Sequence, residues 1–473
     1  MTGTPAAALL IFQFVILLYF LVVNLAYTIF TILSFFYIRR HVYINSRYNV
    51  TSTLSSVFYR PLSIIVPAYN EELTIITSIR SLLTLRYPEF EVIVVNDGST
   101  DGTLDKLRAE FNLTEIGKPI RLQLEHKPIS KTLVSLDFPN LLVLDKQNGG
   151  KADVLNAGIN ASEYPLFCSL DADSLLENDA LLRSARQFVA DREIIAVGGI
   201  VRILNGCTIK NNVVEEIKAP KKYLECFQAV EYVRGFLSGR TAWNVFGSLL
   251  IISGAFGLFR KDLVLAINGY RHSVGEDMDL VIRLHRHCLK NRIPYKVMFV
   301  PDPVCFTQAP TDLESLLKQR NRWQRGLIDS LWYSKGMLFN AGYGVVGLLA
   351  FPYFLFVEAL GPMIECLGYA GFIFFFISGD ISSEFAFLFF VIAILWGMWI
   401  NVSSILLDNI LFKRYKSLGD VLKLCFFSFV EMLGYRQLVS IERFISTFEI
   451  WNKAWGKPKR KEIISDPVNE CSR

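Results

Sequence analysis

The stretch CSLDADSLL (168–176) is an apolar run that ends in two acids one residue apart. In an extended chain, side chains at i and i+2 share a face, so Asp171 and Asp173 are expected to point the same way. Two like charges that close raise each other's pKa unless something positive lies between them. Oxygen ligands suit hard cations, so one reading is a site for Mg2+ or Mn2+. The other reading is structural, because Asp also favours turns after strands and helix N-caps. Further along, Lys151 stands at a helix start, where the helix dipole disfavours a cation. Asp277 follows Gly275 and Glu276 in VGEDMDL, where an acid in the first helical turn is also a common structural choice. His285 and His287 form H-x-H on a helical stretch; i and i+2 point apart there, which argues against a shared metal.

The elements that must position these residues follow from the pattern around them. RPLSIIVPAYNEE (60–72) opens with a short apolar run, as buried parallel strands do, and NEELTIITSIRSLLTL continues at helical spacing. FEVIVVNDGSTDGT (90–103) repeats the plan of strand, polar turn and helix start. Further strands are expected at 120–124, 141–144, 166–170 and 194–199, and helices at 101–111, 151–161 and 177–190. Such alternation predicts a mostly parallel sheet covered on both faces. Ligands of these sheets sit beyond the C-terminal strand ends, where Asp97 and Asp171 both fall.

The 473 residues are 52% hydrophobic and 20% charged, with a mean hydropathy of +0.34. The two properties are segregated. Residues 6–38 carry no charge and are long enough to span a hydrocarbon core of about 30 Å. With no basic leader region or small-residue cleavage site, this reads as an anchor and not a signal peptide. Two more apolar blocks run over 343–377 and 385–412. Arg39 and Arg40, the run Lys413–Arg414–Lys416, and KPKRK (457–461) all flank membrane ends, whereas SGDISSE between the later blocks has no Lys or Arg. By the positive-inside rule the N-terminus lies outside, and the soluble segment and C-terminus lie in the cytoplasm. Basic clusters placed this way favour membrane lipids over nucleic acid as partners. The eight cysteines include no C-x-x-C pair, which suits a reducing compartment. The stretch 311–336 has apolar residues at helical spacing with basic ones between, and predicts an amphipathic helix on the membrane surface.

Taken in order, VPAYNEE (66–72), VVNDGSTDGT (94–103), NGGKADVLNAGI (148–159), LDADS (170–174), SGAFGLFRK (253–261), GEDMDL (275–280) and QRNRW (319–323) resemble the membrane-bound processive enzymes of glycosyltransferase family 2. These are the cellulose, hyaluronan, chitin-oligosaccharide and poly-N-acetylglucosamine synthases. The resemblance runs over roughly 60–335. It implies an α/β GT-A domain, Rossmann-like with a mostly parallel sheet, flanked by transmembrane and interfacial helices. The expected divisions are an N-terminal transmembrane helix (6–38), the GT-A domain (58–310) and an interfacial helix bearing Q-x-x-R-W (311–336). A region of about two spans (343–412), then interfacial helices and a basic cytoplasmic tail (413–473), complete the chain.

The resemblance also implies roles. Asp97 would contact the uracil or ribose of a UDP-sugar, with Asp101 fitting a turn role better, and Lys151 would sit near the uracil and diphosphate. Asp171 and Asp173 would hold the Mg2+ or Mn2+ that bridges the diphosphate. Asp277 would be the general base, with Glu276 and Gly254 beside the acceptor sugar. Gln319 and Arg322 would serve the diphosphate, since a guanidinium pairs oxygens bidentately, and Trp323 would carry the acceptor on its indole face. Apart from the resemblance, Arg320 and Arg325 are expected to contact lipid headgroups, as basic residues on such a helix do. The implied activity is inverting transfer of a sugar to the end of a growing β-linked polysaccharide, coupled to export, at a bacterial inner or plasma membrane. An enzyme that adds one sugar to a lipid or protein acceptor is the alternative. A non-enzymatic scaffold would predict lost carboxylates, and none is lost. With so few spans, a homo-oligomer or membrane partner is left to complete an export path.

Overall fold

The computed structural model describes residues 3–46 and 60–449. Most of the Ser/Thr/Asn-rich stretch 45–56, which reads as a linker, lies outside these residues, as do the KPKRK run and Cys471.

In chain order the strands are β1 (Leu62–Ala68), β2 (Phe90–Asn96), β3 (Leu113–Glu115), β4 (Ile129–Ser135), β5 (Leu141–Lys146), β6 (Leu166–Ser169), β7 (Leu175–Leu176), β8 (Ile194–Ile203), β9 (Thr208–Lys210), β10 (Val213–Glu216), β11 (Gly257–Arg260) and β12 (Lys296–Thr307). Ten of them form one sheet in the order β3-β4-β5-β2-β1-β6-β11-β8-β12-β7, and β9 and β10 form a separate hairpin. The block β5-β2-β1-β6 is parallel throughout, as is the pair β8–β12. β11 enters antiparallel between β6 and β8. The buried runs LSIIVPA and FEVIVVN suit strands covered on both faces. Helices Ile75–Leu83, Thr103–Glu110, Lys151–Ala161 and Ala180–Ala190 alternate with them.

Two departures from the sequence pattern have physical causes. Residues 120–124 are not a strand. Leu124 is buried there because the Asn160 side chain serves its backbone, accepting from Leu124 N at 3.0 Å and donating to Leu124 O at 2.7 Å. An amide side chain thus replaces a ladder partner. Strands β4, β11 and β12 form where alternation was weak, because each is held by pairing to a strong neighbour.

Helix Gly3–Ser46 is long and apolar enough to cross a membrane over Leu9–Asn45, and so is Ser383–Phe412. Segments Val346–Ala359 and Gly361–Ile377 pass together but bend by 40° at their junction, where Gly361 and Pro362 interrupt the helical hydrogen bonding. The helix Leu418–Val430 keeps an exposed apolar stripe of Leu418, Leu422, Phe426 and Phe429.

The helix expected within 311–336 forms, but the expectation that Arg320 and Arg325 contact lipid headgroups is corrected. Helix Leu313–Tyr333 packs against helices Glu276–Lys290 and Arg436–Thr447, with Arg320, Gln324 and Arg325 buried. Arg320 and Arg325 therefore do not reach headgroups. Arg325 Nε donates to Asn321 Oδ1 at 2.7 Å, and Arg320 pairs with Glu231 at 2.6 Å. Arg320 reads as a surface residue because its acidic partner, Glu231, comes from a distant element, whereas Arg325 is tied down by Asn321 one turn away on its own helix. Likewise Arg436 pairs with Glu365 at 2.8 Å and Glu431 with Arg234 at 3.0 Å, so these charges meet partners within the chain.

Candidate active site

A cavity of about 1050 Å³ opens at the C-terminal ends of β1, β2 and β6. These ends carry different functional groups because β1 sits where the strand order turns back: β2 and β5 extend to one side, β6 to the other. Loops leaving adjacent strands in opposite directions open a crevice there. The loop after β1 supplies Asn70 in a left-handed conformation (φ 57), which Asn tolerates. The loop after β2 supplies Asp97, and the loop after β6 supplies Asp171 and Asp173. All three acids line the cavity.

The geometry of the D-x-D pair differs from expectation. β6 ends at Ser169, and Asp171–Ser174 form a turn closed by Ser174 N donating to Asp171 O at 3.0 Å. The two side chains share the cavity through a turn, not through strand alternation. Asp173 is buried, whereas the Asp171 side chain keeps 31% of its exposure.

Lys151, first residue of the Lys151–Ala161 helix, lies at the centre of an acidic group. Its Nζ is 2.7 Å from Asp171 Oδ1 and 3.1 Å from Glu276 Oε1. Burial works against the ammonium, but Asp171 and Glu276 outweigh it and hold its pKa well above the ordinary value. The same crowding leaves acids in excess: burial, with Asp277 beside it, raises the Glu276 carboxyl despite Lys151. Asp277 is fixed at the start of helix Glu276–Lys290, accepting from Gly254 N at 3.1 Å and Met278 N at 2.8 Å. Gly254 permits the close approach, since a Cβ there would fall 2.9 Å from Lys151 Nζ. Gly275 and Gly326 do the same for the element behind the site: a Cβ on either would come within 2.8 Å of the other's backbone, so helix Leu313–Tyr333 presses directly on the turn that carries Asp277.

Gln319, Arg322 and Trp323 line the same cavity. Arg320 guanidinium lies 4.3 Å from the Trp323 ring, with the Tyr232 ring 6.3 Å away on another element, so the 42%-exposed indole is held in place by a cation–π contact. The structure thus brings together all the sequence-derived site residues: Asp97, Lys151, Asp171, Asp173, Gly254, Glu276, Asp277, Gln319, Arg322 and Trp323. Asp101 is a turn residue as expected, accepting from Thr103 N at 3.0 Å.

Sequence reasoning missed several groups. Lys146 ends β5 and donates to Asp97 Oδ1 at 2.8 Å. Its signal was a lysine in register with Leu142 and Leu144 on a buried strand, a charge that needs a buried partner. Arg240 lines the cavity beside Asp277, and burial lowers it to about 10. Tyr270, buried beside Lys151 and Glu276, had no local signal.

Two overlapping family models match, "Glycosyl transferase family 2" over residues 63–264 and "Glycosyl transferase family group 2" over 166–400. The chain belongs to glycosyltransferase family 2. Among curated relatives of this family 2 chain, the poly-β-1,6-N-acetyl-D-glucosamine synthases of Staphylococcus epidermidis and Staphylococcus aureus (strain COL) are 28% and 29% identical over 267 residues. That is 56% of this chain and 54% of each relative, so the match spans about half the length of these relatives. Among solved structures, the mannosyltransferase PcManGT from Pyrobaculum calidifontis in complex with GDP-Man and Mn2+ is 18% identical. It covers 87% of this chain and 99% of its own, with a TM-score of 0.48. Staphylococcus aureus TarS 1–349 is 16% identical, covering 80% and 91%, with a TM-score of 0.39. Both likenesses are too loose to bear on substrate.

Proposed function

We propose that this family 2 glycosyltransferase moves a sugar, with inversion, from a UDP-sugar to the end of a growing β-linked polysaccharide and delivers the product into the membrane. The observation that carries this reading is the continuity of one cavity. It holds Asp171, Asp277, Arg322 and Trp323, and it continues past Tyr232 to Tyr27 of the first membrane helix and to Glu358 and Glu365. A transferase that adds one sugar and stops has no need of a polar path leading from its acceptor site between membrane helices. The named product of the curated relatives makes UDP-N-acetylglucosamine the first donor to test.

A divalent cation fits the donor set. Asp171 and Asp173 share the cavity with Glu276 and Asp277, and Lys151 compensates only a fraction of that charge. No group of three or more His, Cys, Asp or Glu residues suited to a metal occurs among the described residues. Mg2+ and Mn2+ sites of this kind rest on one or two carboxylates, with phosphate oxygens and water completing them. Asp171 and Asp173 would hold the ion, which supplies charge neutralisation to the diphosphate leaving group. Lys151 releases Asp171 to that task and remains as a cation beside the phosphates. Arg322 adds a planar fork for diphosphate oxygens. Asp277, its two oxygens oriented by Gly254 N–H and Met278 N–H, accepts the proton from the acceptor hydroxyl as that oxygen attacks the anomeric carbon. Trp323 offers the acceptor ring a flat apolar face.

The test is incubation of the purified full chain with UDP-N-acetylglucosamine, other UDP-sugars and Mn2+, following UDP release and product length. UDP release with polymer supports the reading. Single-sugar products support transfer to a lipid or protein acceptor instead. EDTA, or Asp171→Ala or Asp173→Ala, is expected to abolish turnover; full activity in chelator removes the metal.

A further inference from the structure

Asp97 is the acid that the reading above places against the nucleotide, and the inference here rests on that reading. Its carboxylate is unusually committed. Oδ1 accepts from Lys146 Nζ at 2.8 Å and from Gly149 N at 2.9 Å, and Oδ2 accepts from Gly150 N at 2.8 Å. An ionised carboxylate oxygen has two lone pairs. Oδ1 is therefore filled, and Oδ2 keeps one acceptor position, with no second donor to it among the described residues. Asp97 lines the cavity, and that remaining position is taken as the one offered to the nucleotide.

Lys146 cannot swing away to free Oδ1. Its side chain is wholly buried, and its ammonium also contacts Asp153 Oδ1 at 2.5 Å and Gln147 O at 2.6 Å. Asp153 is held in turn by Lys127 N, which donates to both its oxygens at 2.9 and 3.2 Å. The loop is wrapped tightly enough that Gly149 leaves no room for a Cβ beside Asp153, and Gly150 takes a φ of +84.

The number of free acceptors matters because nucleobases differ in how many donors they present side by side. Guanine offers N1–H and N2–H together, a fork that matches both oxygens of an uncommitted carboxylate bidentately. Uracil offers N3–H alone, flanked by two carbonyl oxygens. We propose that Lys146 is a specificity-determining residue of the nucleotide site: by filling Asp97 Oδ1 with Gly149 N–H, it leaves one acceptor, which serves a uracil-type base and turns guanine away. A guanine N2 amine placed against Asp97 would meet the Lys146 ammonium and the Gly149 N–H, donor against donor. Leaving a buried donor unpaired costs the full desolvation of that group.

The experiment measures equilibrium binding of UDP, GDP and IDP, with Mn2+, to the detergent-solubilised full chain. Wild type is expected to bind UDP tightest and to bind GDP no better than IDP, which lacks the N2 amine. In Lys146→Met/Asp153→Asn, which leaves no unpaired buried charge between the two positions, Asp97 recovers its second oxygen. GDP should then gain about tenfold relative to both UDP and IDP, the worth of one charge-assisted hydrogen bond. Thermal unfolding establishes that the variant is folded. A folded variant with UDP:GDP and GDP:IDP ratios unchanged overturns the proposal and makes Lys146 merely structural. So does wild type that binds GDP tenfold tighter than IDP, a comparison that decides alone if the variant does not fold. Wild type that binds none of the three nucleotides overturns the nucleotide reading itself, and this inference with it.

Discussion

At the scale of single residues, the site is a small set of acids arranged around Lys151, and each has a distinct expected failure. Asp277→Asn keeps shape and the Gly254 N–H contact but accepts a proton poorly. It should bind donor normally and lose roughly two to four orders of magnitude in turnover; near-wild-type turnover would remove Asp277 as the base. Gly254→Ala should drive Lys151 from Asp171, because its Cβ would sit 2.9 Å from Nζ. A loss on the order of 10²-fold in kcat is expected from such a misplacement, measured as UDP release. His285 tests burial instead of chemistry. Its Nε2 donates to Leu249 O at 2.9 Å, and Nδ1 accepts from Tyr295 OH at 2.6 Å. Burial lowers its pKa to about 4. The unfolded chain binds the proton more readily, so stability is lost as pH falls from the ordinary histidine range toward 4, by about 2 kcal/mol at pH 5. Comparing unfolding of wild type and His285→Gln at pH 7 and pH 5 should show a smaller acid penalty in the variant. Asp97 and Asp171 were legible because apolar strands stop just before them, whereas Asp277 was legible only through the family resemblance of its motif. The wrapping of Asp97 by Lys146 was not, since it depends on β5 lying beside β2, a pairing that no local pattern records.

At the scale of elements, helix Leu313–Tyr333 links the catalytic turn to the membrane helices. Its Gly326 touches Gly275, and its Gln324 donates to Ala359 O at 2.8 Å while accepting from Arg443 Nε at 2.9 Å. Gly326→Ala must push the helix off the Asp277 turn. It should cost about 1–3 kcal/mol in stability, as overpacking does, and should lower kcat more than it raises KM for donor. An unchanged kcat would show that the contact does not position Asp277. Trp323→Ala separates two roles of the indole. If it carries the acceptor, the variant binds donor and makes only short products; if it anchors the helix, product length is unchanged and detergent extraction becomes easier. The helical period of this segment was plain in the sequence. Its depth was not, because Arg320 looks like a surface residue until Glu231 is brought to it, and Arg325 until the neighbouring helices cover it.

At the scale of the whole molecule, the soluble sheet and the membrane helices are one packed object. Phe30 and Ile38 of the first membrane helix belong to the same buried cluster as the β1 and β2 residues. Ser34 Oγ donates to Ser238 O at 3.0 Å, His41 Nε2 meets Asp302 Oδ1 at 2.8 Å, and Arg202 of β8 pairs with Asp408 of helix Trp396–Phe412. Hydropathy alone found the apolar blocks and their flanking charges, but not this fusion, which is made by long-range contacts. The topology that those charges imply is testable with single cysteines in a cysteine-free background. Ser382→Cys should label from outside intact cells and Leu122→Cys only after lysis; the opposite pattern refutes it. The shared core also bears on how such proteins diversify. A domain joined to its anchor by a loose tether can trade anchors through gene fusion, as interchangeable modules do. Here a foreign leader helix would have to bring a phenylalanine, a serine, an isoleucine and a histidine in the places of Phe30, Ser34, Ile38 and His41. Anchor and catalyst are therefore expected to be inherited together, and chimeras that exchange only residues 1–46 should fail to fold even when the replacement helix inserts well.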